Sequence, residues 1–291
     1  MLWTTVLAAA NPIDHVIDKQ LPGGLSMHVV TMVVVALLLI WVMNIAAKAI
    51  ATGPEEKGVD RYVTKGALAH MIEVIVIYMR DKVFEPQLGE RTITFLPYLL
   101  TLFFFILFMN LFGLVPLLDL QHLVGIHTTW LGGTATGNIA VTAALAIIAF
   151  FVINIAGLKE LGVKGYLMHL TGGVPLTIGM LPVVLILIPV EIMGIFIKPS
   201  ALAIRLFANM TAGHVLLAVL MGFTGQALSG LGFLGGAPVT IISVLAAVCI
   251  MFLEIFVAFL QAFIFAFLTC LFIAQLSHHD DHHEEHAPAH A

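Results

Sequence analysis

The chain has 291 residues, of which 60% are hydrophobic and 10% charged, with a formal net charge of −5 that comes largely from Asp280, Asp281, Glu284 and Glu285 near its end. A soluble domain carries about 45–50% apolar and ~25% charged residues, so water is not the main solvent for this chain, and with no basic excess nucleic-acid binding is set aside. The two cysteines, Cys249 and Cys270, both lie inside apolar runs, which excludes a disulfide framework and a CxxC metal or redox site.

Residues 1–26 read as an external N-terminal segment. Their opening, MLWTTVLAAANP, lacks the basic region of a secretory signal, and whether it is cleaved stays open. Residues 27–47 form the first run long enough to cross ~30 Å of hydrocarbon as a helix. The stretch after it holds Lys48, Lys57, Arg61, Lys65, Arg80, Lys82 and Arg91, seven of the twelve basic residues. The positive-inside rule puts that side in the cytoplasm and the N-terminus outside. Within it, residues 68–84 predict a short helix, too charged at its end to span, lying on the membrane surface.

The second span is expected from about 95 to 116 and the third from about 138 to 158. The loop between them has no Lys or Arg and belongs outside, and Lys159 and Lys164 mark the return to the cytoplasm. From Pro175 to Gly222 the chain is apolar for nearly fifty residues, interrupted by Pro182, Pro189 and Pro199. A continuous helix of that length would measure ~70 Å, about twice a membrane, leaving either two antiparallel spans or one steeply inclined helix. The same choice recurs from Pro238 to Leu276, after a Gly-rich connector at 222–237. With no polar loop inside either run, an inclined helical hairpin is the favoured arrangement, ending on the cytoplasmic side. The expected fold is thus an all-α polytopic membrane protein with about five membrane-embedded helices plus a surface-lying helix. Its membrane domain covers 27–276, with the hairpin at about 175–276, and 277–291 is a disordered His- and acid-rich tail. The tail histidines have no ordered scaffold, so neither a metal site nor a cofactor is assigned.

Ionisable groups inside hydrocarbon cost at least ~2.5–3.5 kcal/mol for a central Arg on insertion scales, so each is a functional candidate. Glu191, Lys198, Arg205 and Glu254 are such groups, and His214, Asn209 and Gln261 are polar neighbours in the same two runs. Glu191, Lys198 and Arg205 are seven apart, a spacing that returns within about 20° of one direction on a helix, so they form one stripe if Pro199 leaves the register intact. Ala201, Ala208 and Ala212 on the Arg205 face would admit a second helix close to the guanidinium. His214 lies nine residues on, roughly opposite. Glu254 and Gln261 again share a face, and a carboxylate and an imidazole on antiparallel neighbours would make a proton relay. The plainer readings are Arg205 as a structural counter-ion to Glu191 or Glu254, His214 as a packing residue, and Asn110, Asn138 and Gln261 as interhelical hydrogen-bond groups.

The segment KPSALAIRLFANMTAGH (198–214) closely resembles the signature of subunit a of the F-type ATP synthase membrane sector. LQAFIFAFLT (260–269) resembles the last-helix motif of that family, and FMNLFGLVP (108–116) and TGNIAVTAALA (136–146) are weaker matches to its second and third spans. The resemblance implies a non-catalytic, proton-conducting stator whose last two helices form an inclined hairpin against a ring of c-subunits, with a b-subunit peripheral stalk, in a bacterial inner membrane. By the same resemblance Arg205 matches the family's essential arginine, holding the ring carboxylate ionised and blocking leakage between two offset half-channels. A fixed cation in low dielectric does favour the ionised form of a carboxylate brought beside it. Asn209 and Gln261 match positions beside the arginine, and Glu191 and Lys198 match positions lining the cytoplasmic route. Where many members have Glu, this chain has His214, and where they have His it has Glu254, an exchange implying that the two side chains lie close in the outer half-channel. Gly113 stands where some relatives have an acid. The His214/Glu254 pair favours protons over Na⁺, although ion choice rests largely with the ring.

A secondary ion transporter with an intramembrane Arg/Glu site is the competing class, and no internal repeat supports it. An intramembrane hydrolase lacks its motifs, since neither HExxH nor GxSxG occurs.

Overall fold

The structure is a computed structural model that describes residues 26–50, 64, 66–115, 132–169, 171 and 180–277. The expectations for the N-terminal segment, the outer loop and the His-rich tail lie outside these residues.

Among the described residues the regular elements are helices. Helix α1 is Met27–Ile50, α2 Ala67–Tyr78, α3 Glu85–Leu88, α4 Thr92–Gly113, α5 Ile139–His169 and α6 Leu181–Ser277. The uniform apolarity of α1, α4, α5 and α6 leaves no polar face to meet water, as expected of helices solvated by lipid. Five stretches are long and apolar enough to cross a membrane: Met27–Ile50, Ala67–Gly113, Ile139–Met168, Pro182–Gly230 and Gly235–Leu276. The helix expected at 68–84 runs from Ala67 through a π-helical stretch at Met79–Phe84 to the end of α3 at Leu88, where Gly89 (φ 57°) leaves the helical region; a 3₁₀ turn at Gly89–Arg91 then leads into α4, the expected second span. Helix α5 is broken at Gly162 (φ 65°), just past the end expected for the third span at about 158, and a further helical stretch runs on to His169.

In α6 the non-helical backbone is confined to Gly232 (φ 70°), inside the connector expected from its glycines, so Pro189 and Pro199 are accommodated within the helix. A left-handed residue of this kind suits glycine, which carries no Cβ to clash. The two arms on either side are antiparallel. Asn209 meets Gln261. Gly213 meets Glu254 and Gly236 meets Ala227, so residue numbers fall along one arm as they rise along the other. At 49 and 42 residues, the arms would be ~74 and ~63 Å long, about twice the hydrocarbon thickness. Such arms lie inclined in a bilayer or extend beyond it.

The chain divides into two compact units. The first takes its described residues from Met1–Thr64, Phe103–Thr142 and Ile204–Phe263. Val35 of α1, Met109 of α4, Ala135 and Val141 make its core, with Met32, Phe105, Phe108 and Phe112 packed against them. Phe103 meets Phe259 edge to face at 5.7 Å. The second unit draws on Lys65–Leu102, Ala143–Ala203 and Ile264–Ala291. There Phe150 stacks on Phe196 at 5.3 Å, Gly157 lies against Leu276, and Arg91 pairs with Glu160 at 2.8 Å.

Candidate functional site

In the first unit the polar side chains gather around the two α6 arms. Asn209 Nδ2 donates to Gln261 Oε1 at 3.0 Å, joining the arms one turn beyond Arg205. Gln261 is 2% exposed, and its own amide nitrogen has no partner. One turn further, Glu254 (8% exposed) rests directly on Gly213: a Cβ there would overlap Oε1 and stand 3.0 Å from Cδ and 3.2 Å from Cγ. Only glycine lets the carboxyl approach the helix backbone this closely. Glu254 forms no hydrogen bond or ion pair among the described residues, and its buried Oε2 has no partner. The next residue, His214, is paired through Nε2 with the Thr134 hydroxyl. Thr134 also reaches the carbonyl of Gly113 at 3.4 Å, and a Cβ on Gly113 would come within 2.5 Å of the Thr134 side chain.

Asn110 is fully buried and donates to the carbonyl of Ala258 at 3.3 Å, the interhelical role expected of it. Asn138 instead accepts the N–H of Ala140 at 2.9 Å, the bond by which an N-cap satisfies a first-turn donor of α5. Asn110 Oδ1, Thr136 Oγ1, Thr211 Oγ1, Glu254 Oε2 and Gln261 Nε2 are all buried and unpartnered, and all belong to this unit. Buried polar atoms left without protein partners are the usual places for bound water, so this interior is chemically suited to hydration.

Arg205 differs from its neighbours. Its side chain is exposed on the hairpin, and among the described residues it has no hydrogen bond or ion pair. The counter-ion reading is therefore not what the structure places there. Ala208 and Ala212 near it are also exposed.

In the second unit Glu191 and Lys198 share a cavity of about 40 Å³ with Asn154, Tyr166, Phe272 and Gln275. That is room for about two or three water molecules. Lys198 Nζ donates to Gln275 Oε1 at 3.3 Å and lies 5.1 Å from the Phe272 ring centroid. Glu191 has no ion pair among the described residues. Tyr166 donates its phenol to Asn154 Oδ1 at 2.5 Å. Twelve residues of continuous helix would separate the two by ~18 Å, so the left-handed break at Gly162 (φ 65°) is what folds Tyr166 back onto the cavity.

Of the residues the sequence singled out, the structure brings together Asn209 with Gln261, Glu254 with the backbone beside His214, and Glu191 with Lys198. Thr134, Asn154, Tyr166 and Gln275 were not singled out. A polar residue opposite a helical histidine or lysine could have been sought, but the sequence does not say which loop or helix supplies it.

Long apolar helices enclosing a few charged and amide side chains define an all-helical, polytopic membrane protein with an intramembrane polar site. The protein-family model for the ATP synthase A chain matches residues 13–274. ATP synthase subunit a of Myxococcus xanthus is 40% identical over 250 residues, covering 86% of this chain and 71% of that protein. The subunit a of Anaeromyxobacter dehalogenans is 46% identical over 196 residues, 67% of this chain and 45% of that one. For Chlorobium phaeobacteroides the identity is 37% over 250 residues, 86% and 65%. This chain thus spans from about half to about seven-tenths of the lengths of these relatives. It belongs to the ATP synthase subunit a family.

Proposed function

We propose that the chain is the proton-translocating stator channel of a rotary ATP synthase, without catalytic chemistry of its own, which offers protons to the carboxylates of a c-subunit ring and prevents their direct leakage with Arg205. The observation that carries this reading is Arg205: an exposed guanidinium on an apolar arm, beside small exposed alanines, with no carboxylate partner among the described residues. A permanent cation in hydrocarbon without a partner is costly, and a carboxylate brought to it by another chain would offset that cost. The same cation favours the ionised state of that carboxylate, which promotes proton release as the ring turns.

The outer access path runs through the first unit, by His214, Glu254 and the buried polar atoms around them. The cytoplasmic path runs through the cavity of the second unit, by Glu191 and Lys198. Asn209 and Gln261 hold the arms together beside Arg205. The working assembly includes the c-ring and a b-subunit stalk in a bacterial inner membrane, with the N-terminus outside and the C-terminus in the cytoplasm. The alanine variant of Arg205 tests this in inverted vesicles where assembly has been confirmed. ATP-driven proton pumping and ATP synthesis are expected to vanish while passive proton leakage rises. Normal pumping would make Arg205 a structural residue only.

A further inference from the structure

We infer that His28, in the first turn of α1, is a proton-carrying residue of the outer access path, passing protons between outside water and His214 by way of Thr134. The inference rests on the proton-channel reading above and adds a residue from a helix that reading does not use.

Helix α1 is apolar apart from His28, Thr31, Asn44 and Lys48. The first two are 1% exposed and lie on one face, three residues apart. Both are directed at the same short segment. Thr31 Oγ1 lies 3.2 Å from the carbonyl of Gly132 and accepts the N–H of Gly132 at 3.4 Å, with the carbonyl of Met27 at 3.0 Å as a second acceptor for its hydroxyl. That pair of contacts ties the start of α1 to residues 132–134. The His28 ring then lies edge-on to Gly133, where a Cβ would stand 2.7 Å from Nε2 and 3.1 Å from Cδ2. The following residue is Thr134, whose hydroxyl is already paired with His214 Nε2. Glu254 lies against Gly213, the neighbour of His214. Three separate parts of the chain thus set His28, Thr134, His214 and Glu254 in succession.

Among the described residues of this unit the titratable or charged groups besides His28 are Lys48, Arg205, His214, Cys249 and Glu254, of which His214 and Glu254 lie in the cluster. Residues 132–138 and 103–113 carry none, and Lys48 is ~30 Å along α1 from His28. An imidazole suits the task because it gains and loses a proton near neutrality and has two ring nitrogens, one to receive and one to release. The balanced step is a relay. A proton from outside binds one ring nitrogen as the other releases its own to a bridging water. That water protonates the Thr134 oxygen while the Thr134 hydroxyl hydrogen passes to His214 Nε2. One proton enters and one arrives: His28, the water and Thr134 end with their original charge, and His214 carries the added one.

The test uses the assembled complex in inverted vesicles, with ATP synthesis driven by an imposed gradient and the lumenal pH, which stands for the outside, varied. His28→Gln keeps a polar side chain of similar reach but cannot carry a proton. A fall of about tenfold or more is expected, steepest where lumenal protons are scarce, with ATPase activity and assembly retained. In His28→Ala, added imidazole is expected to restore flux, whereas pyrazole, which fits the same space but stays neutral, is not. An unchanged rate and pH profile in His28→Gln, or equal rescue by pyrazole, would overturn the inference. If neither variant assembles, Thr134→Val removes the intermediate hydroxyl: slowed uptake supports the relay, and normal uptake overturns it. Arg205→Ala in the same vesicles separates the two claims. If it is silent, the channel reading fails; if it blocks coupling while the His28 variants are silent, only the relay fails.

Discussion

The closest approach in the first unit yields the sharpest prediction. Replacing Gly213 by Ala puts a methyl group into the volume of the Glu254 carboxyl, with Cδ at 3.0 Å and Cγ at 3.2 Å also inside ordinary contact distance. The carboxyl, as the mobile end of its side chain, must move by roughly 1 Å, since the helix backbone around Gly213 is fixed by its own hydrogen bonds. Overpacking of this kind costs ~1–3 kcal/mol, of which an off-rotamer side chain accounts for ~0.5–1.5 kcal/mol, well short of what would unfold a polytopic protein. The functional effect should be larger than the structural one. Proton transfer needs heavy atoms within ~2.6–3.2 Å, and a displacement of 1 Å can lower a rate by about 100-fold. The assay is passive proton conductance of vesicles stripped of the catalytic sector, together with ATP-driven pumping, after assembly has been verified. Gly213→Ala is expected to reduce both by about 10- to 100-fold. Adding Glu254→Asp, which retracts the carboxyl by one methylene, is expected to recover part of the loss. Wild-type conductance in assembled Gly213→Ala would refute the argument, because Glu254 would then not need its place against this backbone.

Two further outcomes follow from hydrogen bonds within single units. Asn209→Leu deprives Gln261 Oε1 of its donor while Nε2 is already unpartnered, so the complex should lose ~1–3 kcal/mol in denaturant resistance; Asn209→Leu with Gln261→Leu should restore most of it, and additive losses would contradict the pairing. Tyr166→Phe removes the donor to Asn154 Oδ1, worth ~0.5–1.5 kcal/mol, so protease cleavage within 163–169 should accelerate about two- to tenfold, and an unchanged rate would show that the phenol does not hold this segment.

The long apolar runs and the Gly-rich connector made the helical hairpin legible, because bilayer thickness and glycine's freedom act on local sequence. The helix at 68–84, marked off by its charged end, is separated from the next span at Gly89 (φ 57°), and the third span is broken at Gly162, close to the expected 158. The residues on α6 were legible because ionisable groups stand out against hydrocarbon. Thr134 and His28 were not, since a threonine in a Gly-rich segment and a histidine at a helix start look ordinary until long-range packing sets them beside His214 and Gly133. Tyr166 was hidden for a related reason. Its position depends on one left-handed residue, Gly162, beyond the expected end of the third span at about 158.

Exposure has a different meaning for each kind of side chain on this protein. Leu185, Ile186, Phe252 and Phe256 are mostly exposed, yet lipid tails are as apolar as leucine, so these faces require no protein to cover them. Arg205 is exposed in the same apolar setting, and lipid tails offer it nothing. The buried orphans in the first unit can be satisfied by water, which binds neutral and ionised groups alike. Water alone would leave the guanidinium hydrated and give no barrier to protons, since a continuous hydrated path past it would conduct them. On the proposed reading a carboxylate delivered by a moving partner would satisfy the charge and displace that water in the same event. On the proposed reading the unpaired arginine is therefore the feature that makes rotation necessary: a proton crosses only when the partner that neutralises Arg205 carries it round.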